Sequence, residues 1–208
     1  MSRIRAVVEA SAAEHPWLPR AFVLAWLIWI WLGFFEGEPP SFFRNPFGAA
    51  TLIVHEAGHA ALFWSGSRLW TVAAGTLFQL AMPVLVACLF WRQKDVYAVT
   101  VALFWLGTSF VDAGVYAADA RAQILPRVSP WGGEDDPLSH DWTYMLMRFG
   151  KLSRDEVIGG RLSAVGMLLM PLALAAGAWV VGVMARTPKR PVAEESARLA
   201  ERLTQGIR

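Results

Sequence analysis

Long apolar segments, separated by short polar ones, dominate the chain. The two clearest, residues 69–91 and 162–185, contain no charged residue and are flanked by arginines. A membrane-spanning helix needs about 20 mostly apolar residues, because hydrocarbon offers the backbone no hydrogen-bond partner outside the helix. By this criterion we expect about five membrane helices, near residues 21–35, 46–64, 69–91, 96–124 and 162–185.

The composition also indicates a membrane protein. Hydrophobic residues make up 55% of the chain and charged residues only 17%, and the mean hydropathy is +0.38. The 11 Trp and 12 Phe suit the interfaces of a bilayer. A net charge of +2 without a continuous basic stripe argues against a nucleic-acid partner. We therefore predict an all-α, multi-pass integral membrane protein whose surroundings are the lipid bilayer.

Two polar regions lie outside the predicted spans. Residues 126–141 form a Gly- and Pro-rich acidic loop, and residues 186–208 form a polar tail with the amphipathic spacing of a surface helix. No internal repeat or separate soluble domain interrupts residues 1–185. We expect these residues to form one membrane-embedded domain.

The segment 46–64 is apolar except at His55, Glu56 and His59. Four residues turn an α-helix through about 400°, so the two imidazoles lie within about 40° on one face and can share a metal ion. Glu56 projects from the adjacent edge, where it can accept a proton from a metal-activated water and pass it to a leaving amine. Chance would produce this pattern about 0.003 times in such a chain. We predict a Zn²⁺ site with Glu56 as its catalytic base, the alternative being a histidine pair hydrogen-bonded within a helix bundle.

A zinc site of this kind needs a third protein ligand. One source is a stripe on a single helical face, spaced by four, three and four residues: Asp112, Tyr116, Asp119 and Gln123. These side chains could instead orient the ligating imidazoles from outside the metal's coordination sphere. The other source is the pair His140 and Asp141, whose alternative role is the start of an ordinary surface helix. We favour this pair, because His140 is the remaining imidazole in a segment that could fold back to the site.

Gly75 and Gln79 lie one turn apart on the segment that follows the histidines. They could provide close packing and a hydrogen bond to substrate or to an oxyanion. Gln79 could equally form a hydrogen bond across helices.

The string His55-Glu56-Ala57-Gly58-His59 in an apolar helix resembles the motif of the site-2 protease family of intramembrane zinc metalloproteases. Gly75 to Gln79 lies where that family usually has Gly-x-x-x-Asn, with Gln in place of Asn. The resemblance covers residues 46–141. It implies a helix bundle around a zinc ion held by two histidines and a distant aspartate, and cleavage of membrane-embedded segments of other proteins. The family's usual Leu-Asp-Gly or Asn-Pro-x-x-Asp-Gly signature is absent, and no motif transfers its role to Asp141.

These features favour a membrane-embedded zinc endopeptidase that hydrolyses peptide bonds in or near transmembrane segments of a membrane protein substrate. One alternative is a catalytically inactive membrane scaffold or regulator that keeps zinc as a structural staple. Another is an ion-coupled transporter, in which intramembrane acids relay ions. Cleavage, the effect of a chelator on stability, and flux in liposomes distinguish the three functions. The sequence favours no oligomeric state.

Overall fold

The computed structural model describes residues 3–36, 44–125 and 140–187. Within these ranges the chain is all-helical and has no strand, which confirms the predicted all-α class. The α-helices are α1 (Arg3–Glu14), α2 (Trp17–Gly33), α3 (Pro46–Leu62), α4 (Arg68–Arg92), α5 (Val96–Ala118), α6 (Asp141–Arg148) and α7 (Asp155–Arg186). The predicted loop and tail lie outside the described residues, apart from the few that adjoin α6 and α7.

Among the described residues, three helices are long and apolar enough to cross a membrane: α4, α5 and the continuous stretch Leu152–Arg186 that contains α7. Segments of α1 and α2, bent by 114°, pass the same test only when they are taken together, which raises the number to four. With 17 residues each, α2 and α3 are about 25 Å long, less than the roughly 30 Å of a bilayer's hydrocarbon core. The prediction of five spans is therefore not confirmed.

The helix predicted over residues 96–124 ends earlier, at Ala118. The carboxylate of Asp119 accepts hydrogen bonds from the backbone N–H groups of Ile124 and Leu125, at 2.9 and 3.1 Å. Gln123 has a φ of +50°, in the left-handed region. The chain turns here because a side chain, and not the next helical turn, satisfies its backbone donors.

Glycines allow α5 and α7 to pack closely against each other. Gly107 and Gly114 on α5 face Gly166 and Gly159 on α7, so the two helices run antiparallel. A Cβ at Gly166 would lie 2.7 Å from Cγ2 of Val111, and one at Gly114 would lie 2.6 Å from the carbonyl oxygen of Gly159. Small residues at such interfaces let helices approach closely enough to associate in lipid. This pair has the most extensive contact of any two helices described.

The remaining helices pack around this pair. Helices α1 and α2 pack against α7, and α2 contributes to a core that contains Leu27, Ile30, Phe104, Met170 and Leu174. Helix α3 packs against α4, and α4 packs against α5. The short helix α6 contacts both α4 and α5. The histidines of α3 therefore face α4, α5 and α6.

These contacts place the histidines near one end of the bundle. The carbonyl of Thr71, which contacts His59, lies three residues after the first residue of α4, Arg68. Gly75 and Gln79, which approach His55, lie seven and eleven residues after Arg68. With a rise of 1.5 Å per residue, the site is about 5–16 Å from that end of α4.

Candidate metal centre

Two imidazoles and one carboxylate converge between α3 and α6. Nε2 of His55 lies 2.9 Å from Oδ2 of Asp141, and Nε2 of His59 lies 3.0 Å from the same oxygen. The two rings are nearly perpendicular, with centroids 4.7 Å apart. His55 and Asp141 are buried and His59 is half-buried. Because the ligand atoms all lie within 4.8 Å of one another, this group could hold a metal ion.

The backbone of α4 orients His59. Nδ1 of its ring lies 2.8 Å from the carbonyl oxygen of Thr71. A carbonyl oxygen only accepts hydrogen bonds, so Nδ1 carries the proton and Nε2 points into the site. The hydroxyl of Thr71 donates to the carbonyl oxygen of Leu62, which fixes this turn of α4 against the end of α3.

A side chain orients His55. Its Nδ1 lies 2.6 Å from Oε1 of Gln79, also on α4. The Nε2 of Gln79 donates to the carbonyl oxygen of Ser109 on α5, at 3.1 Å. Gln79 therefore bonds across helices, one of the two roles anticipated for it. Like His59, His55 directs Nε2 towards Asp141.

The donor set fits a divalent cation. With both Nδ1 atoms donating, neutral His55 and His59 present two nitrogen lone pairs to an oxygen of Asp141. Three electron-rich atoms facing one another repel, so the arrangement needs either extra protons or a cation between them. Imidazoles whose other nitrogen donates to a carbonyl or a carboxylate are characteristic of metal ligands.

The position of Asp141 follows from the local structure of α6, of which it is the first residue. The preceding residue, His140, caps the helix: its Nδ1 accepts a hydrogen bond from the backbone N–H of Thr143, at 3.3 Å. The hydroxyl of Thr143 donates to the carbonyl oxygen of Ala120. Farther along α6, the ring of Tyr144 lies 4.6 Å from the guanidinium carbon of Arg68 on α4. These contacts attach α6 to both neighbouring helices.

The environment of Asp141 keeps its carboxyl group ionised. Burial alone would raise the pKa of Asp141, but imidazoles that are also protonated on Nε2 donate hydrogen bonds to the carboxylate and attract it by charge, and these effects outweigh burial and hold the pKa below its ordinary value. A ligating carboxyl group must be deprotonated. Asp141 meets that condition at neutral pH.

Glu56 lies beside the three converging groups. It is half-buried, and its charge acts on the imidazole of His59. Among the described residues, Glu56 has no hydrogen-bond or ion-pair partner.

Two glycines shape the wall of the site on the α4 side. A Cβ at Gly75 would lie 2.5 Å from Nε2 of His55 and 2.7 Å from Cε1 of His59. Any side chain at this position would therefore occupy the space beside the inward-facing nitrogens. Gly58 permits the approach of α4, because a Cβ there would lie 2.5 Å from the carbonyl oxygen of Ala74.

The structure does not bring His140 to the other histidines. Its ring is fully buried and packs against Tyr116, with centroids 4.2 Å apart. The Nε2 of His140 faces Oδ2 of Asp119, at 3.7 Å. Of the pair favoured from the sequence, only Asp141 joins His55 and His59.

The predicted polar stripe lies partly on α5 and partly in the turn that follows it, and its members have different contacts. Tyr116 supports Asp141, whose backbone N–H lies 3.4 Å from the phenol oxygen, and Gln123 donates to the hydroxyl of Thr143 at 3.0 Å. Asp119 receives the backbone donors that end α5, as described above. Neither Asp112 nor Asp119 belongs to the group that could hold a metal. The hydrogen bonds of Tyr116 and Gln123 described here thus go to α6, whereas the Nδ1 atoms of the two imidazoles meet groups on α4 and not the stripe.

Two participants were not anticipated from the sequence. The carbonyl oxygens of Thr71 and Ser109 orient His59 and, through Gln79, His55. Both are backbone atoms, which every residue carries, so no residue type in the sequence indicates their role. Only the packing of α3 against α4, and of α4 against α5, selects these two carbonyls.

Comparison with known proteins identifies no relative: no protein-family model, curated protein or solved structure matches the chain. The candidate function therefore depends on the residues of the site.

Proposed function

We propose that this protein is a membrane-embedded, zinc-dependent endopeptidase that cleaves peptide bonds in or near transmembrane segments. One observation carries the proposal. The two histidines of a His-Glu-x-x-His motif direct Nε2 towards the carboxylate of Asp141, which lies on another helix, 86 positions after His55. The resemblance of this motif and of Gly75 to Gln79 to the site-2 protease family supports the same reaction.

The donor types favour zinc. Two imidazoles and one carboxylate form the ligand set of many catalytic zinc sites, which keep a fourth position for water or substrate. Calcium and magnesium prefer oxygen ligands alone. His55, His59 and Asp141 would hold the ion, and Gly75 leaves space beside it.

A bound Zn²⁺ would lower the pKa of a coordinated water to about 7 and polarise the carbonyl of the scissile bond. The carboxylate of Glu56 would accept the proton of the attacking water. The same carboxyl group would then donate it to the nitrogen of the leaving amine, as general acid. Thr71 and Gln79 would hold the two imidazoles in place during these transfers.

The location of the site suits substrates that are partly embedded in lipid. It lies about 5–16 Å from one end of α4, where water needs to penetrate only part of the bilayer. A peptide bond within a continuous transmembrane helix has its carbonyl hydrogen-bonded, so the substrate must locally unwind. We expect cleavage near the end of the substrate's span, where unwinding costs least.

A catalytically inactive membrane scaffold stabilised by zinc is the second candidate function, and a different feature of the structure favours it. The possible ligands come from α3 and from the start of α6, which are distant in sequence. A metal held between them would fasten α6 to the bundle whether or not catalysis occurs. Metal binding that orders a structure contributes directly to its stability.

One experiment separates the two candidates. The detergent-purified, zinc-loaded protein is incubated with a fluorogenic transmembrane peptide, with and without a chelator, and its thermal unfolding is followed in parallel. The peptidase predicts cleavage that a chelator abolishes and added zinc restores. Lower thermal stability after chelation, with no cleavage of any transmembrane peptide tested, would support the scaffold instead. Ion flux in liposomes that is indifferent to zinc would favour a transporter.

A further inference from the structure

The amide of Gln79 has only one orientation that satisfies its neighbours. Its Nε2 lies 3.1 Å from the carbonyl oxygen of Ser109, which can only accept a hydrogen bond. The amide nitrogen must therefore face α5, which leaves Oε1 facing Nδ1 of His55 at 2.6 Å. The backbone of α5 thus determines which atom of Gln79 meets the imidazole.

This orientation determines the tautomer of His55. Because Oε1 of an amide is an acceptor, Nδ1 of His55 must carry a proton. In the neutral ring Nε2 then bears the lone pair that binds a metal. An imidazole without such a partner can place its proton on Nε2, where it would block the ligating atom.

Further hydrogen bonds hold the α5 end of this contact. The hydroxyl of Ser109 lies 3.2 Å from the hydroxyl of Thr51, which is about one helical turn before His55 on α3. Thr51 also accepts a hydrogen bond from Nε1 of Trp105, at 2.9 Å. Helices α3, α4 and α5 are therefore joined by polar contacts at the level of Gln79.

The two histidines differ in what orients them. A backbone carbonyl, that of Thr71, fixes His59, whereas a side chain fixes His55. A substitution can therefore release one ring and leave the other in place.

We propose that Gln79 is a positioning residue. It links His55 to the backbone of α5 and holds His55 in its metal-binding tautomer. This inference rests on the proposed function, since it assigns a role towards the same metal. The hydrogen-bond part of it can be tested without metal.

The test compares Gln79→Met with Gln79→Glu. Met is similar in size but offers Nδ1 no oxygen, whereas Glu retains an oxygen facing the ring in either protonation state. In protein labelled with ¹⁵N-histidine, which contains 4 His, we expect slowly exchanging Nδ1–H signals from both His55 and His59 in the wild type. Gln79→Met should lose the His55 signal and keep that of His59, and Gln79→Glu should keep both.

Zinc affinity gives the second measurement. Loss of an outer hydrogen-bond partner typically weakens metal binding about 10–100-fold, and we expect this range for Gln79→Met. Thr76→Val is the matched control. Thr76 is buried one turn before Gln79 on the same helix, and its hydroxyl has no hydrogen-bond partner among the described residues. This control should retain wild-type affinity and both ring signals.

The outcomes are distinct. Wild-type zinc affinity and a protected His55 signal in folded Gln79→Met would overturn the inference, as would loss of the His55 signal in folded Gln79→Glu. Should Gln79→Met fail to fold, the presence or loss of the His55 signal in Gln79→Glu still tests the inference. Failure of the wild type to bind zinc would contradict the proposed function, while the ring signals of the metal-free protein would test the hydrogen bond separately.

Discussion

Replacing Glu56 with Gln is expected to lower the rate of peptide cleavage about 10²–10⁴-fold, the usual contribution of a general acid–base group. The amide has nearly the same shape as the carboxyl group but cannot accept the proton of the attacking water. Zinc content should remain unchanged, because Glu56 is not among the three groups that converge. Cleavage of a fluorogenic transmembrane peptide and metal analysis of the same preparation measure both effects.

A second Glu→Gln substitution controls for the chemical change. Glu156 lies at the start of α7, is largely exposed and pairs only with the exposed guanidinium group of Arg121 among the interactions described. Glu156→Gln should retain both cleavage and zinc. If Glu56→Gln kept more than about a tenth of the wild-type rate, well outside the range expected for loss of a general base, Glu56 could not have the proposed role.

Replacing Gly75 with Ala is expected to weaken zinc binding by more than about 100-fold, beyond the effect typical of losing an outer hydrogen-bond partner. The added methyl group would lie 2.5 Å from Nε2 of His55 and 2.7 Å from Cε1 of His59. Both rings are restrained through Nδ1, so they cannot move aside without breaking those hydrogen bonds. Cleavage should be lost together with zinc. Competition with a chelator of known affinity measures the change.

Gly160→Ala is the matched control for this substitution. Gly160 is also helical, but a Cβ there would meet no atom of the described residues within 4 Å. The control should bind zinc as the wild type does and should unfold at the same or a slightly higher temperature, because Ala favours helix over Gly. Unimpaired zinc binding by folded Gly75→Ala would mean that the ion does not lie between these imidazoles.

The helical class and the histidine face of α3 could be predicted because both depend on local periodicity. The apolar segments of α4, α5 and α7 are long, and the four-residue spacing places His55 and His59 on one face whatever the surroundings. The prediction of five spans is not confirmed, and the reason is physical. Apolar character was sufficient to suggest α2 and α3, yet each helix has only 17 residues.

The third member of the site was predicted only as one of a pair. Sequence alone could not decide between His140 and Asp141, since adjacent residues at a helix start point in different directions. The structure resolves the pair: the ring of His140 caps α6 and packs on Tyr116, so Asp141 turns towards α3. The partners of the two Nδ1 atoms depend on helix packing, which no spacing in the chain encodes.

X-ray absorption at the zinc edge, combined with metal analysis, tests the central claim most directly. For the purified, zinc-loaded wild type we predict one zinc per chain with two imidazole nitrogens at about 2.0–2.1 Å and carboxylate oxygen at about 2.0–2.2 Å. Asp141→Ala and His55→Ala should each lose tightly bound zinc, whereas His140→Ala should lose less wherever α6 remains folded. A zinc-free wild type after zinc-replete preparation, or equal zinc in the wild type and in His55→Ala, would contradict a metal centre at His55, His59 and Asp141.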